Sequence, residues 1–315
     1  MSGCARKGSL KVDMKLATGD RTIRFLSTVF ASMILLLIAV IVYELFKGSE
    51  LSIGRFGLKF LVTTTWDPVN EVFGALPFIF GTIVSSVIAL VIALPISIGI
   101  AVFLSELAPQ AIRPSVSLMI ELLAAIPSII YGLWGLFVMV PFLQTYVEPV
   151  LGRYLGSLPL FGGAPIGVGM LAGGIILSIM IVPTIASISR DIFNTVPMLY
   201  KEAGFALGMT RWEVISKIVF PHSRSGLTGA VMLGFSRALG ETMAVTMVIG
   251  NAPAISASLF APSYTIASVI ANEFTEATTK LYLSSLTELA LILFAISMVF
   301  NAVARLLVSR ERIVQ

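Results

Sequence analysis

Apolar residues along this chain gather into six long runs separated by polar stretches. Each run is long enough to cross a ~30 Å hydrocarbon layer as a helix. The runs predict spans at 26–46, 78–104, 116–140, 166–188, 226–249 and 286–308. Around them lie a basic N-terminal tail (1–25), expected to be mobile, and a polar loop with Trp66, Asp67, Pro68 and Asn70 (47–77). A tight turn follows with Pro109, Arg113 and Pro114, then a Gly- and Pro-rich loop before 166, a charged loop at 190–224, a long loop at 251–283 and a short tail at 309–315. The expected fold is an all-α integral membrane bundle with its core at 78–308. The first run is long enough to span, and no small-residue cleavage site clearly follows it, so it reads as a retained anchor. Pro95, Pro127 and Pro183 fall inside expected spans, where each removes a backbone hydrogen bond and favours a kink.

Composition agrees with the pattern. Hydrophobic residues make up 57% of the 315 and charged residues 12%, with mean hydropathy +0.97. The one cysteine, Cys4, excludes an intrachain disulfide; it lacks the preceding apolar run of a lipoprotein signal and reads as incidental. The net charge of +4 is best explained by where the cations fall. Fifteen Lys and Arg lie in the tail, at Arg113, in 190–224 or at the C-terminal end, against five in the alternate loops. The positive-inside rule then makes both termini and the 190–224 loop cytoplasmic.

That loop carries the densest local signals. Lys201, Glu202, Arg211, Glu213 and Lys217 keep it out of hydrocarbon. Thr195 is placed to cap a first helix with Pro197 in its opening turn, and Leu199, Ala203, Ala206 and Leu207 share one face. Gly208 ends that helix, Thr210 and Glu213 form a capping box for a second, and Trp212, Ile215, Ile218 and Val219 make its apolar stripe, with Pro221 expected to stop it. Such an amphipathic knuckle either docks into a groove on another protein or simply covers the bundle. Its residues Glu202-Ala203-Gly204, Gly208, Ile218 and Pro221 resemble the EAA signature of ABC importer permeases, with Gly204 and Phe220 as departures. The resemblance implies a six-transmembrane-helix ABC importer permease fold whose cytoplasmic coupling helices are received by an ATPase subunit.

In the fifth run, Gly226, Ala230, Gly234 and Ala238 recur every four residues, a small-residue stripe for close helix packing within the chain or with a second permease subunit. Arg237 lies roughly 16 Å into that run, about half of the hydrocarbon thickness. A guanidinium there costs about 2.5–3.5 kcal/mol, so it must face a partner or a wet pathway. Glu241, one turn on, is placed to pair with it. Either the two charges neutralise each other and fix helix orientation, or Arg237, with Ser236 beside it, offers donors to a passing oxyanion that the carboxylate helps to release. Glu121 and Glu288 read as solvated ends or helix contacts. Glu273 and Glu276 belong to a possible short outer helix, either a docking surface for a binding protein or a loop cap.

Three further segments, SRALGETMAV at 236–245, ELLAAIPSIIYGLWGLF at 121–137 and ANEF at 271–274, resemble PstC-type permeases of phosphate importers. The likeness runs from Trp66 to the end of the chain and implies a phosphate permease. Its implied partners are a PstA-like second permease, two PstB-like ATPases holding ATP and magnesium, and a PstS-like extracytoplasmic phosphate-binding protein. The chain has no Gly-Lys dipeptide for a Walker A loop, a single histidine, His222, and no G-x-S-x-G elbow, so no cofactor or catalysis is expected in it. The alternatives are a permease for sulfate or molybdate, a gradient-driven secondary transporter, and, last, an intramembrane enzyme using Glu241.

Overall fold

The computed structural model of the chain describes residues 5–313, so Cys4 lies outside the described residues. It is built of helices: among the described residues, β-pairing is limited to isolated bridges at Asp67–Val72 and Gly250–Ser263. Helix α1 (Ala5–Gly48) contains the first expected span but starts far earlier. Residues 5–24, read as a tail, continue the same helix. Short helices α2 (Glu50–Phe56) and α3 (Lys59–Val62) lead to α4 (Leu76–Val102), whose last turn widens into a π-helical turn at Phe103–Leu107. The hydroxyls of Thr82 and Ser86 donate to the carbonyls of Phe78 and Thr82, so these buried polar groups sit in an apolar helix without loss.

The third expected span, 116–140, is corrected. Helix α5 (Arg113–Ala125) stops at Ile126, which is extended at ψ 129, because the residue before a proline is pushed out of the helical region. Pro127 therefore precedes a helix and does not kink one. The membrane-length element is 128–155, made of α6 (Ser128–Trp134), α7 (Val140–Phe142) and α8 (Glu148–Leu155) joined by π turns at Gly135–Met139 and Leu143–Val147. The buried carboxylate of Glu148 pins the following loop by accepting from the Gly167 amide at 2.8 Å.

Helix α9 (Met170–Asn194) sits a few residues later than expected and carries Pro183 inside it. Next come α10 (Met198–Ala206), α11 (Arg211–Val214) and α12 (Phe220–Leu239). The fifth expected span is not one helix. It breaks at Gly240, and α13 (Met243–Val248) follows. Helix α14 (Ile266–Glu273) ends before Glu276, and α15 (Lys280–Ile313) runs past the expected end at 308. Five helical stretches among the described residues are long and apolar enough to cross a membrane: Ile23–Gly48, Leu76–Leu107, Ser128–Leu155, Met170–Asn194 and Lys280–Leu306.

The core is centred on α4, α9 and α12. Ala89 and Ala93 meet Leu177, Ile181, Ile185 and Ala238 there, small residues against large ones. The small-residue stripe of α12 lies inside the chain and packs on α9. A Cβ at Gly226 would stand 2.8 Å from Ile192, and one at Gly234 would stand 2.5 Å from Ile185. At one end of α4 an aromatic cluster of Trp66, Phe73, Phe78, Tyr264 and Tyr282 holds the loops together. At its other end Ala101 and Val102 pack against Phe193, Val214, Ile215 and Val219.

Candidate functional site

The knuckle at 197–221 forms two helical limbs with a corner, and its local rules are visible atom by atom. Thr210 Oγ1 accepts from the Glu213 amide at 3.3 Å, and Glu213 Oε2 accepts from the Thr210 amide at 2.9 Å, a closed capping box. Those bonds, with Lys217 at 3.0 Å, hold the Glu213 carboxyl down from its ordinary value to about 2, the Thr210 amide contributing most. Gly208 turns the corner at φ +82. Gly204 is buried where the limbs touch; a Cβ there would stand 2.6 Å from the Ile218 δ-methyl, so the limbs meet closely at this position. Tyr200 of α10 lies against His222 of α12, ring centroids 5.7 Å apart.

Three readings of this loop are corrected. Thr195 does not cap α10. Its hydroxyl donates to the Ile192 carbonyl at the end of α9, and Pro197 occupies the cap position of α10. Pro221 does not stop the second helix. The π turn at Ile215–Val219, in which the Phe220 amide donates to the Ile215 carbonyl, widens the helix just before the proline, so the chain runs on into α12. The apolar stripe also divides. Ile215 and Val219 are buried, whereas Trp212 is 66% exposed. With Leu207 at 84%, and with exposed Met198, Leu199 and Phe205, Trp212 leaves the knuckle an outward apolar surface, with exposed Glu202 on the same limb as Leu199. Ala203 is exposed on that limb too.

The second candidate is the break after α12. Arg237 lies in the last turn of that helix, where the dipole favours a cation. The predicted pairing with Glu241 is absent: the turn at Gly240 carries Glu241 off the helix, and Arg237 Nη1 instead donates to Thr184 Oγ1 of α9 at 3.1 Å. Among the described residues Arg237 forms no ion pair, and its side chain is exposed on the isolated chain. One donor is spent on Thr184, so the rest of the guanidinium fork faces outward, a geometry able to hold an oxyanion by two parallel bonds. Ser236 turns elsewhere, its hydroxyl 3.2 Å from Asn301 Oδ1 of α15. The break falls at Leu239-Gly240, where Gly240 ends the helix at φ −96 and ψ 1 without entering the left-handed region, and sequence reasoning passed over it because the apolar run continues through it.

The other acids have structural surroundings. Glu121 lies 3.6 Å from Arg190, and Glu288 is buried beside Ser52, not solvated. Glu273 accepts from Trp66 Nε1 at 2.8 Å and from the Tyr282 hydroxyl at 2.6 Å, which ties α14 to the first loop and α15. Sequence reasoning also missed Glu106, which meets Lys201 at 2.6 Å across the base of the bundle.

Comparison with known proteins completes the picture. The family described as binding-protein-dependent transport system inner membrane component matches residues 93–313. A phosphate transport system permease protein PstC from Haemophilus influenzae is 51% identical over 288 residues, 90% of this chain and 91% of the relative. Its namesake from Mesorhizobium japonicum is 49% identical over 284 residues, 89% and 87% of the two chains. A chain of the inward-facing MetNI methionine ABC transporter shares the fold, with a TM-score of 0.52 over 81% of this chain and 97% of that one at 17% identity. The chain thus belongs to the inner membrane components of binding-protein-dependent transport systems, a multi-pass membrane family.

Proposed function

We propose that this chain is the permease subunit of an ATP-driven phosphate importer. It lines the translocation path together with a PstA-like second permease, takes phosphate from a PstS-like binding protein and is driven by two PstB-like ATPases that hold ATP and magnesium. The reading rests above all on identity of about one half to relatives named phosphate transport system permeases, over nearly the full length of both chains. It makes the chain a non-catalytic subunit. The knuckle supplies the ATPase contact, with Glu202 and Ala203 on its exposed limb and Gly204, Gly208, Thr210, Ile218 and Pro221 shaping the corner behind it, because a capped corner with an outward apolar surface fits a groove on a partner. Arg237 meets the anion in the path, whereas Ser236 is turned to Asn301 and Glu241 lies beyond the helix end. A guanidinium with donors to spare and no carboxylate upon it gives positive potential, and its exposure on the single subunit suits a path completed by a second one.

The test is reconstitution of the four kinds of subunit in vesicles, with ATP-dependent uptake of phosphate, sulfate and molybdate compared. Phosphate is expected to be taken up and the other two to be excluded; preferred uptake of either rival anion overturns the substrate. In the same vesicles Arg237→Lys is expected to lower phosphate uptake about tenfold at unchanged assembly, since a point charge replaces a fork. Unaltered uptake would return Arg237 to a purely structural role.

A further inference from the structure

Helix α10, the first limb of the knuckle, has a weak hold on the spanning helices. The apolar cluster that joins the knuckle to the end of α4 draws on Val214, Ile215 and Val219 of the second limb, and no residue of α10 belongs to it. Beside the ring contact of Tyr200 with His222 of α12, α10 has Lys201, whose Nζ stands 2.6 Å from Glu106 Oε1 in the π turn that ends the α4 run. The two side chains are only 11% and 13% exposed. Both line a cleft of about 900 Å³ between the 105–113 turn and the start of the knuckle, so the pair bridges its walls. Arg113, on the same cleft, donates to the Ala108 carbonyl and does not compete for Glu106.

Resting on the functional reading above, we infer that the Glu106–Lys201 pair is a strut that carries displacement of α10 to α4. A short, shielded ion pair resists shortening because its atoms are already in contact, and resists stretching because separating it leaves two poorly solvated charges. Lys201 immediately precedes Glu202, so a partner pressing on the exposed face of α10 acts next to the strut. Helix α4 lies at the other end, packed against α9 and α12 through the centre of the bundle. Glu106 and Lys201 are positioning residues that touch no substrate.

The experiment uses the reconstituted complex and reads phosphate moved per ATP hydrolysed. Glu106→Gln and Lys201→Gln are each expected to leave ATP hydrolysis within about twofold and to lower that ratio about tenfold, and the exchange Glu106→Lys with Lys201→Glu to restore most of it. A strut that only stabilises the fold would lower assembly and hydrolysis together and leave the ratio intact. Unchanged ratios in the single variants, or an assembled double variant that stays uncoupled, overturn the inference while the phosphate reading stands. A wild-type complex that moves no phosphate overturns both.

Discussion

At the scale of single residues, the knuckle shows how much a local rule can specify. Thr210 and Glu213 announce a capping box by spacing alone, and both reciprocal bonds form. The carboxyl that closes the box sits at about 2, below its ordinary value, so its contribution to local stability is present above the ordinary carboxylate range and disappears as the pH falls through about 2. Amide exchange at Glu213, compared with Glu213→Gln, is therefore expected to show a constant difference from neutral pH down to about 4.5, shrinking from there towards pH 2. A difference already gone at pH 4 would mean that the Thr210 amide and Lys217 do not hold the carboxylate. Gly208 was equally legible, since a corner at φ +82 is cheapest for glycine. The partner of Arg237 was not. Glu241 is the nearest acid in sequence, but Thr184 is the nearer group in space, and only the packing of α12 on α9 brings it there.

Among elements, legibility ended where one helix depends on another. Four of the six hydrophobic runs coincide with helices long and apolar enough to span, whereas 116–140 is displaced to 128–155 and 226–249 has no such helix. They missed breaks inside those patterns. Pro127 and Gly240 carry ordinary termination signals, yet the surrounding apolar sequence outweighed them, although α13 packs as a separate piece against α6. Pro221 erred the other way, since a stop signal is cancelled by a π turn whose wider ladder leaves no trace in sequence. The stripe on α12 was legible as a packing face, and the structure identifies α9 as its neighbour. Gly234 leaves room for nothing larger, because a Cβ would fall 2.5 Å from Ile185 Cγ1. Gly234→Val is expected to overpack this contact at a cost of about 1–3 kcal/mol, seen as a lower unfolding midpoint of the purified subunit. Gly229, with open space around its Cβ, is the control: Gly229→Ala should leave the midpoint unchanged or raise it. Equal effects at the two positions would mean that α12 does not seat on α9 through this stripe.

For the whole molecule, the path of the chain through its two end clusters fixes which segments share an end. Helix α4 begins in the aromatic cluster with Phe78 and ends at Ala101 and Val102 in the cluster that holds the knuckle. Helix α9 finishes at that knuckle end with Phe193, and α12 starts back from it. Helix α15 leaves the aromatic end, where Tyr282, Leu286 and Leu289 are buried, and α1 finishes beside it, with Gly48 close against Thr287. Traced outward, α15 runs antiparallel to α12, Asn301 beside Ser236 and Arg305 lining one pocket with Gly229, so its far end leads toward the knuckle. For α15 this matches the grouping expected from the Lys and Arg bias, which predicts that the tail, the knuckle loop and the C-terminal end share the cytoplasmic side. Packing places the knuckle and the far end of α15 at one end of the bundle; that this end is the cytoplasmic one is the proposal that labelling tests. In a chain with Cys4→Ser, a thiol placed at Ser216 on the knuckle should resist a membrane-impermeant reagent applied to intact cells and react after lysis. One placed at Thr275, beyond α14, should react from outside. Reaction of both from outside would put the knuckle out of reach of any cytoplasmic ATPase, while reaction of neither would mean that the aromatic end lies beneath a partner or faces inward.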